Sequence, residues 1–149
     1  MRVVKYLEKI REMDMRVDGK IAERERILEL ATAITPVLSD MPKGGGPSDK
    51  IGNAAVKLAA IAAEIDEATD RFIDYRAEAI RLLEALPINE YAVLHGHYVR
   101  YQTIEYIAEN WVPAPKTARQ VYRIKAKALR HAQTLLDERE GAENNKTTE

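Results

Sequence analysis

A chain of 149 residues with 32% charged and 46% hydrophobic side chains and a formal net charge of -1 suits one ordinary folded domain or two small ones, and is neither disordered nor membrane-embedded by composition. Cysteine is absent, which excludes disulfides, thiolate catalysis and zinc–cysteine centres. Charges interrupt Met1–Asp14 every few residues and no apolar run reaches the ~18 residues of a membrane span, so no signal-peptide core or membrane segment is expected and the expected location is the cytoplasm.

The small net charge is unevenly spread. Residues 88–131 hold seven Lys/Arg against three Asp/Glu, whereas residues 132–149 hold two against five and residues 1–87 hold 14 against 16. A basic segment between near-neutral and acidic neighbours points to an anionic partner.

Val3, Leu7, Ile10, Val17, Ile21, Leu28 and Ala31 fall mostly at steps of three and four, which predicts a first helix from Val3 to about Ile34. Asp14 and Arg24 interrupt its seam, and Ile27, Leu30 and Ile34 widen it. The stretch Met41-Pro-Lys-Gly-Gly-Gly-Pro-Ser-Asp-Lys50 follows. A phosphate loop of the Walker kind places its lysine after the glycines and a strand before them. Here Lys43 precedes the glycines and a helical pattern comes before, so a turn is expected, with Ser48 or Asp49 capping the next helix. A contact role for Lys43 stays open.

Ile51, Ala54, Leu58, Ile61, Ile65, Ala68, Phe72, Tyr75, Ala79, Leu82 and Leu86 alternate steps of three and four without a miss. Such a seam predicts a second long helix packed at a shallow angle on a partner helix, ending near Pro87. The two helices together predict an antiparallel coiled-coil hairpin over residues 1–87. The wet Ile27/Leu30/Ile34 flank points to homo-oligomerisation through it.

Beyond Pro87 the segments shorten. Asn89 is placed to cap Glu90–Tyr98, Thr103 to cap Ile104–Trp111, and Thr117 with Gln120 to form a capping box at the start of Ala118–Glu138. Val121, Ile124, Ala128, Leu129, Ala132 and Leu136 form the inner face of that last helix. The predicted fold is all-α: the hairpin, then a three-helix helix-turn-helix domain over residues 88–138, then a disordered polar tail, 139–149.

Lys116 to His131 contains Lys116, Arg119, Arg123, Lys125, Lys127 and Arg130 and no acid. Arg119, Arg123, Lys127 and Arg130 share a helix face, and counterion release from double-stranded DNA would drive affinity there. Arg119, Gln120 and Arg123 lie in the first two turns, where a recognition helix meets base edges. Thr103 and Thr117, with free amides at helix starts, are expected to hold backbone phosphates. Lys116, Lys125, Lys127 and Arg130 are expected to neutralise phosphates. His95 and His97 stand two apart, which places them on different helix faces, so no metal is expected. Tyr91, Tyr98, Tyr101, Tyr106, Tyr122 and Trp111 are expected to form a small aromatic core. No catalytic constellation is present, so no enzyme activity and no cofactor are expected.

Two stretches carry a family resemblance. The segment "ATAITPVLSDMPKGGGPSDKIG" and the cadence "VLHGHYVRYQTIEYIAEN…TARQVYRIKAKAL" resemble small proteins from phages of Gram-positive bacteria, late-gene transcription regulators of the RinA and ArpU kind. The likeness covers residues 3 to 136. It implies a C-terminal domain like region 4 of sigma factors, action in a bacterial host cell, and DNA-reading positions at Thr117, Arg119, Gln120 and Arg123. The turn "NWVPAPK" is about three residues longer than the family's and proline-rich, which implies a changed docking angle or a later start of the recognition helix. Two other readings remain: an adaptor whose hairpin binds RNA polymerase or another phage protein, and a DNA-packaging adaptor. The latter kind usually sets its DNA-binding unit before the oligomerising helices, the reverse of this order.

Overall fold

The computed structural model describes residues 1–38 and 46–148, with side chains described for residues 1–33 and 52–148. Lys43 and the expected turn around it lie outside the described residues, as do the side chains of Ser48 and Asp49. The chain is all-helical: α1 (Val3–Leu38), α2 (Gly46–Glu84), α3 (Ile88–Leu94), a π-helical turn (His95–Val99), α4 (Ile104–Glu109) and α5 (Ala118–Thr147). Among the described residues there is no strand, and no helix is long and apolar enough to cross a membrane.

Two compact units form. One holds Met13–Phe72; the other joins Met1–Glu12 to Ile73–Glu149. The division falls inside both long helices rather than at Pro87, because the first turns of α1 and the last turns of α2 are built into the core around α5.

In the Met13–Phe72 unit the α2 seam is followed residue by residue from Ala54 onward. Ile61 and Ile65 are buried, and Ala54, Leu58, Ala68 and Phe72 are half-buried. The α1 seam is followed less far: Val17 is buried, Ile21 half-buried and Leu28 46% exposed. Lys20 and Glu64 pair across the helices at 3.3 Å. Exposed pairs of this kind contribute at most about 1 kcal/mol, so apolar contact holds this unit.

The second unit has the denser core. Leu7, Ile10, Leu83, Leu94, Leu136, Val93 and Val121, the largest fully buried side chains described, all lie in it. Each such side chain contributes about 1.5–3 kcal/mol by leaving water. Polar ties then set the register. The Val3 backbone N–H donates to Gln133 Oε1 at 2.7 Å, and Gln133 Nε2 donates to the Met1 carbonyl at 2.9 Å. Tyr75 donates its hydroxyl to the Tyr6 carbonyl at 2.6 Å, and the two rings lie 5.1 Å apart. Arg139 donates to Tyr6 Oη at 3.1 Å and to the Glu78 carbonyl at 3.3 Å.

Those last contacts bear on the expected tail. Residues 139–147 continue α5 instead of forming a disordered segment. Their composition is polar, but Arg139 is anchored on α1 and α2, and the helix propagates from that anchor at the low cost of extending an existing helix.

Between α3 and α4 the chain makes one widened turn. Arg100 N–H donates to the His95 carbonyl at 3.0 Å and Gln102 N–H to the Gly96 carbonyl at 2.9 Å. Tyr101, between them, takes φ 58°, the left-handed conformation that often closes a helix C-terminus. Gly96 permits the closure: a Cβ there would stand 3.0 Å from Gln102 Oε1 and 3.2 Å from Ile107 Cδ1. The π-helical turn and α4 are therefore packed backbone to side chain.

Candidate nucleic-acid interface

The site begins with how α5 is started. Thr117 Oγ1 accepts from Gln120 N–H at 3.2 Å, and Thr117 N–H donates to Gln120 Oε1 at 2.9 Å. This is the expected capping box, which satisfies two otherwise orphaned donors. The preceding Lys116 N–H donates to the Ala108 carbonyl at 2.9 Å. The proline-rich connection, whose Val112–Pro113 bond is cis, therefore returns to the end of α4, and α5 starts at Ala118 as its sequence signals predict.

One face of α5 is held by the core. Val121 and Ala128 are buried, and Ile124 and Leu129 are half-buried; Val121 packs with Val93, Ile104, Ile107 and Ala108. With that face fixed, Arg119, Tyr122, Arg123, Lys127 and Arg130 are exposed on the other side. The four cations lie along about 16 Å of helix at ~1.5 Å per residue. None of the four forms a salt bridge among the described residues. An unneutralised row of this length on a rigid helix creates a positive potential suited to a polyanion.

The other expected site residues are placed differently. Lys125 is half-buried, with Nζ 5.7 Å from the Tyr98 ring centre and 5.9 Å from that of Tyr122. Two aromatic faces hold its ammonium, so it belongs to the packing of α5 rather than to the open row. Lys116 Nζ sits 5.4 Å over the Trp111 ring beside the start of α5. Gln120 gives one amide oxygen to its cap, which leaves its N–H groups for base reading but compromises the bidentate pairing with adenine. Thr103 caps α4, accepting from Tyr106 N–H at 3.1 Å, and Glu105 stands in the same first turn. A carboxylate there works against a phosphate, which leaves Thr103 as a cap.

The aromatic residues do not form one core. Tyr98 alone is buried, Tyr91 and Trp111 are half-buried, and Tyr106 and Tyr122 are each 50% exposed. The core between the short helices is aliphatic, because short helices leave room for Val and Ile but not for several rings. His95 stacks on Tyr91 at 5.1 Å, and His97 Nδ1 lies 2.8 Å from the Gln102 carbonyl. Burial first, then Arg76 and Arg100, pushes the His95 imidazole below its usual range, with Glu84 opposing.

Two features had escaped the sequence. Glu90 is a buried acid in contact with His131. Its signal was spacing: Glu90 stands three and four residues before Val93 and Leu94, on the face that α3 buries. The second is an open cavity of about 400 Å³ lined by α3, the Arg100–Gln102 loop, α4 and Trp111. Nothing in the spacing of its residues along the chain joins them.

No protein-family model matches this chain, and no curated protein or solved structure is significantly similar to it.

Proposed function

We propose that this protein is a sequence-specific DNA-binding transcription regulator of phage or prophage origin. In this reading α3, α4 and α5 form a helix-turn-helix akin to region 4 of sigma factors, α5 is the recognition helix, and α1 and α2 form a hairpin that joins copies of the chain. The observation that carries it is the row Arg119, Arg123, Lys127 and Arg130, exposed and without carboxylate partners among the described residues. Arg119 and Arg123 read base edges, Gln120 contributes its amide N–H groups, and Lys116, Lys127 and Arg130 neutralise phosphates beside the free amides that follow Thr117.

The test is selection of duplexes from a random pool by the full chain, followed by a salt series on the selected site. At ~0.9 per neutralised phosphate, the three contacts of Lys116, Lys127 and Arg130 give a slope of about -3 in log K against log salt. A flat salt dependence overturns the proposal. Arg123→Ala should cost about 1–3 kcal/mol and relax one base position. Equal loss on every sequence reduces Arg123 to a phosphate clamp.

A second reading has its own support. Met15, Leu30 and Val56 are 64%, 49% and 70% exposed on the long helices. Exposed large apolar side chains suit an interaction surface, and an adaptor that binds RNA polymerase or another phage protein would use it. A chain that fails to retain any duplex but binds a protein partner through these residues favours the adaptor.

A further inference from the structure

The open cavity of the second unit has a composition that neither the core nor the cationic row of α5 explains. Its volume, about 400 Å³, lies within the usual ~300–1,000 Å³ of small-ligand sites. Two aromatic side chains line it, Tyr106 and Trp111, with Tyr106 half exposed. Three residues with side-chain amides, Asn89, Gln102 and Asn110, are among its lining residues. Arg100 is the one charged side chain among its described lining residues, and it forms no salt bridge among the described residues.

Each alternative occupant leaves part of this set unused. A bare phosphate would engage Arg100 and neither ring. An aliphatic side chain would match the lining residues Ile88, Ala92, Ile107 and Val112 and make no use of the amide-bearing residues or of Arg100. A nucleobase uses all three kinds of group: rings stack on its face, amides pair with its edge, and the guanidinium takes the attached phosphate. Asn110, at the end of α4, is held in place, since its Nδ2 donates to the Tyr106 carbonyl at 2.9 Å. That bond fixes the amide and leaves Oδ1 and one N–H uncommitted by it.

We propose that this cavity binds a nucleotide, with the base between Tyr106 and Trp111, its edge on Asn89, Gln102 and Asn110, and its phosphate on Arg100. The base comes either from a free mononucleotide or from an unpaired residue of a strand; the chemistry is the same. The inference stands apart from the role given to α5.

Trp111 is the sole tryptophan of the chain, so its emission reports on the cavity directly. The full chain is titrated with the nucleoside 5′-monophosphates, with ribose 5-phosphate and inorganic phosphate, and with a short single-stranded oligonucleotide. At least one mononucleotide, or the oligonucleotide, should give saturable quenching that ribose 5-phosphate does not. Arg100→Gln and Asn110→Leu should each weaken it by about tenfold or more, the loss expected for one charge-assisted or buried hydrogen bond. The Arg119→Ala/Arg123→Ala double variant should leave the quenching by mononucleotides unchanged. Should Asn110→Leu fail to fold by circular dichroism, Arg100→Gln at an exposed position carries the test. Quenching by the oligonucleotide alone, with the same dependence on Arg100, assigns the base to a strand. No saturable quenching, equal quenching by ribose 5-phosphate, or loss in the α5 double variant with retention in Arg100→Gln overturns the proposal.

Discussion

His131 Nδ1 lies 2.6 Å from Glu90 Oε1, joining a half-exposed imidazole on α5 to a carboxylate on α3 that is only 6% exposed. The separation is that of a close ion pair, yet neither Glu90 oxygen meets a donor at hydrogen-bonding angles, and both are shut off from water. Ring orientation adjusts easily, whereas burial of the carboxylate does not. With no other partner for a buried charge, the contact between α3 and α5 depends on His131.

Removing His131 alone should therefore be worse than removing both groups. His131→Ala should lower unfolding stability by about 1–3 kcal/mol, the cost of leaving a buried acceptor unpaired. The Glu90→Leu/His131→Ala double variant should recover most of that loss. Urea denaturation of the four proteins in the cycle measures it, and purely additive effects would show the two groups to be uncoupled.

Gly96→Ala should destabilise the second unit although alanine favours helix. The added methyl would stand 3.2 Å from Ile107 Cδ1, in the buried cluster, and 3.0 Å from Gln102 Oε1. Gln102 can move, but Ile107 is held between α4 and α5, so overpacking of about 1–3 kcal/mol outweighs the ~1 kcal/mol of helix propensity. A rise in thermal midpoint would mean that the π-helical turn yields more readily than its contacts imply.

Lys125 and Lys127 should separate cleanly. Lys127 is exposed on the open row, so under the proposed DNA-binding role Lys127→Ala should reduce the salt slope by about 1 and leave the melting temperature nearly unchanged. Lys125 is lodged between Tyr98 and Tyr122. Lys125→Ala should instead cost about 0.5–2 kcal/mol of stability and leave the slope nearly intact. The same pair of measurements on both variants decides the point, and an equal change of slope would place Lys125 on the interface.

Acid should weaken the second unit through His95. Its folded imidazole titrates below the usual range because burial, Arg76 and Arg100 disfavour the charged form. The unfolded chain then binds the proton more readily than the folded one. Stability is unaffected above the ordinary histidine range of about 6.5 and falls as pH drops below it, until the folded group is also protonated. Urea midpoints measured from neutral pH downward should fall less steeply for His95→Gln than for the native chain. Parallel profiles would assign the acid sensitivity elsewhere.

Much of this architecture could be read along the chain, because helices are local objects. The seam from Ala54 to Leu86 and the inner face from Val121 to Leu136 each sit where their spacing put them, buried or half-buried. The Thr117–Gln120 capping box formed as written, since its two partners are three residues apart and need nothing else. The clustering of Lys and Arg in residues 116–130, and their division into faces, was likewise a matter of periodicity.

What the chain order could not supply was which segments meet. The anchoring of Arg139 on Tyr6 and Glu78, and with it the helical course of residues 139–147, depends on partners more than 60 residues away in sequence. The same holds for the capture of Lys125 by Tyr98, the burial of Glu90 against His131, and the convergence of Arg100, Asn110 and Trp111 on one cavity. Periodicity assigns a residue to a face of its own helix. Only the packing of helix on helix determines whether that face meets water, a ring or a charge.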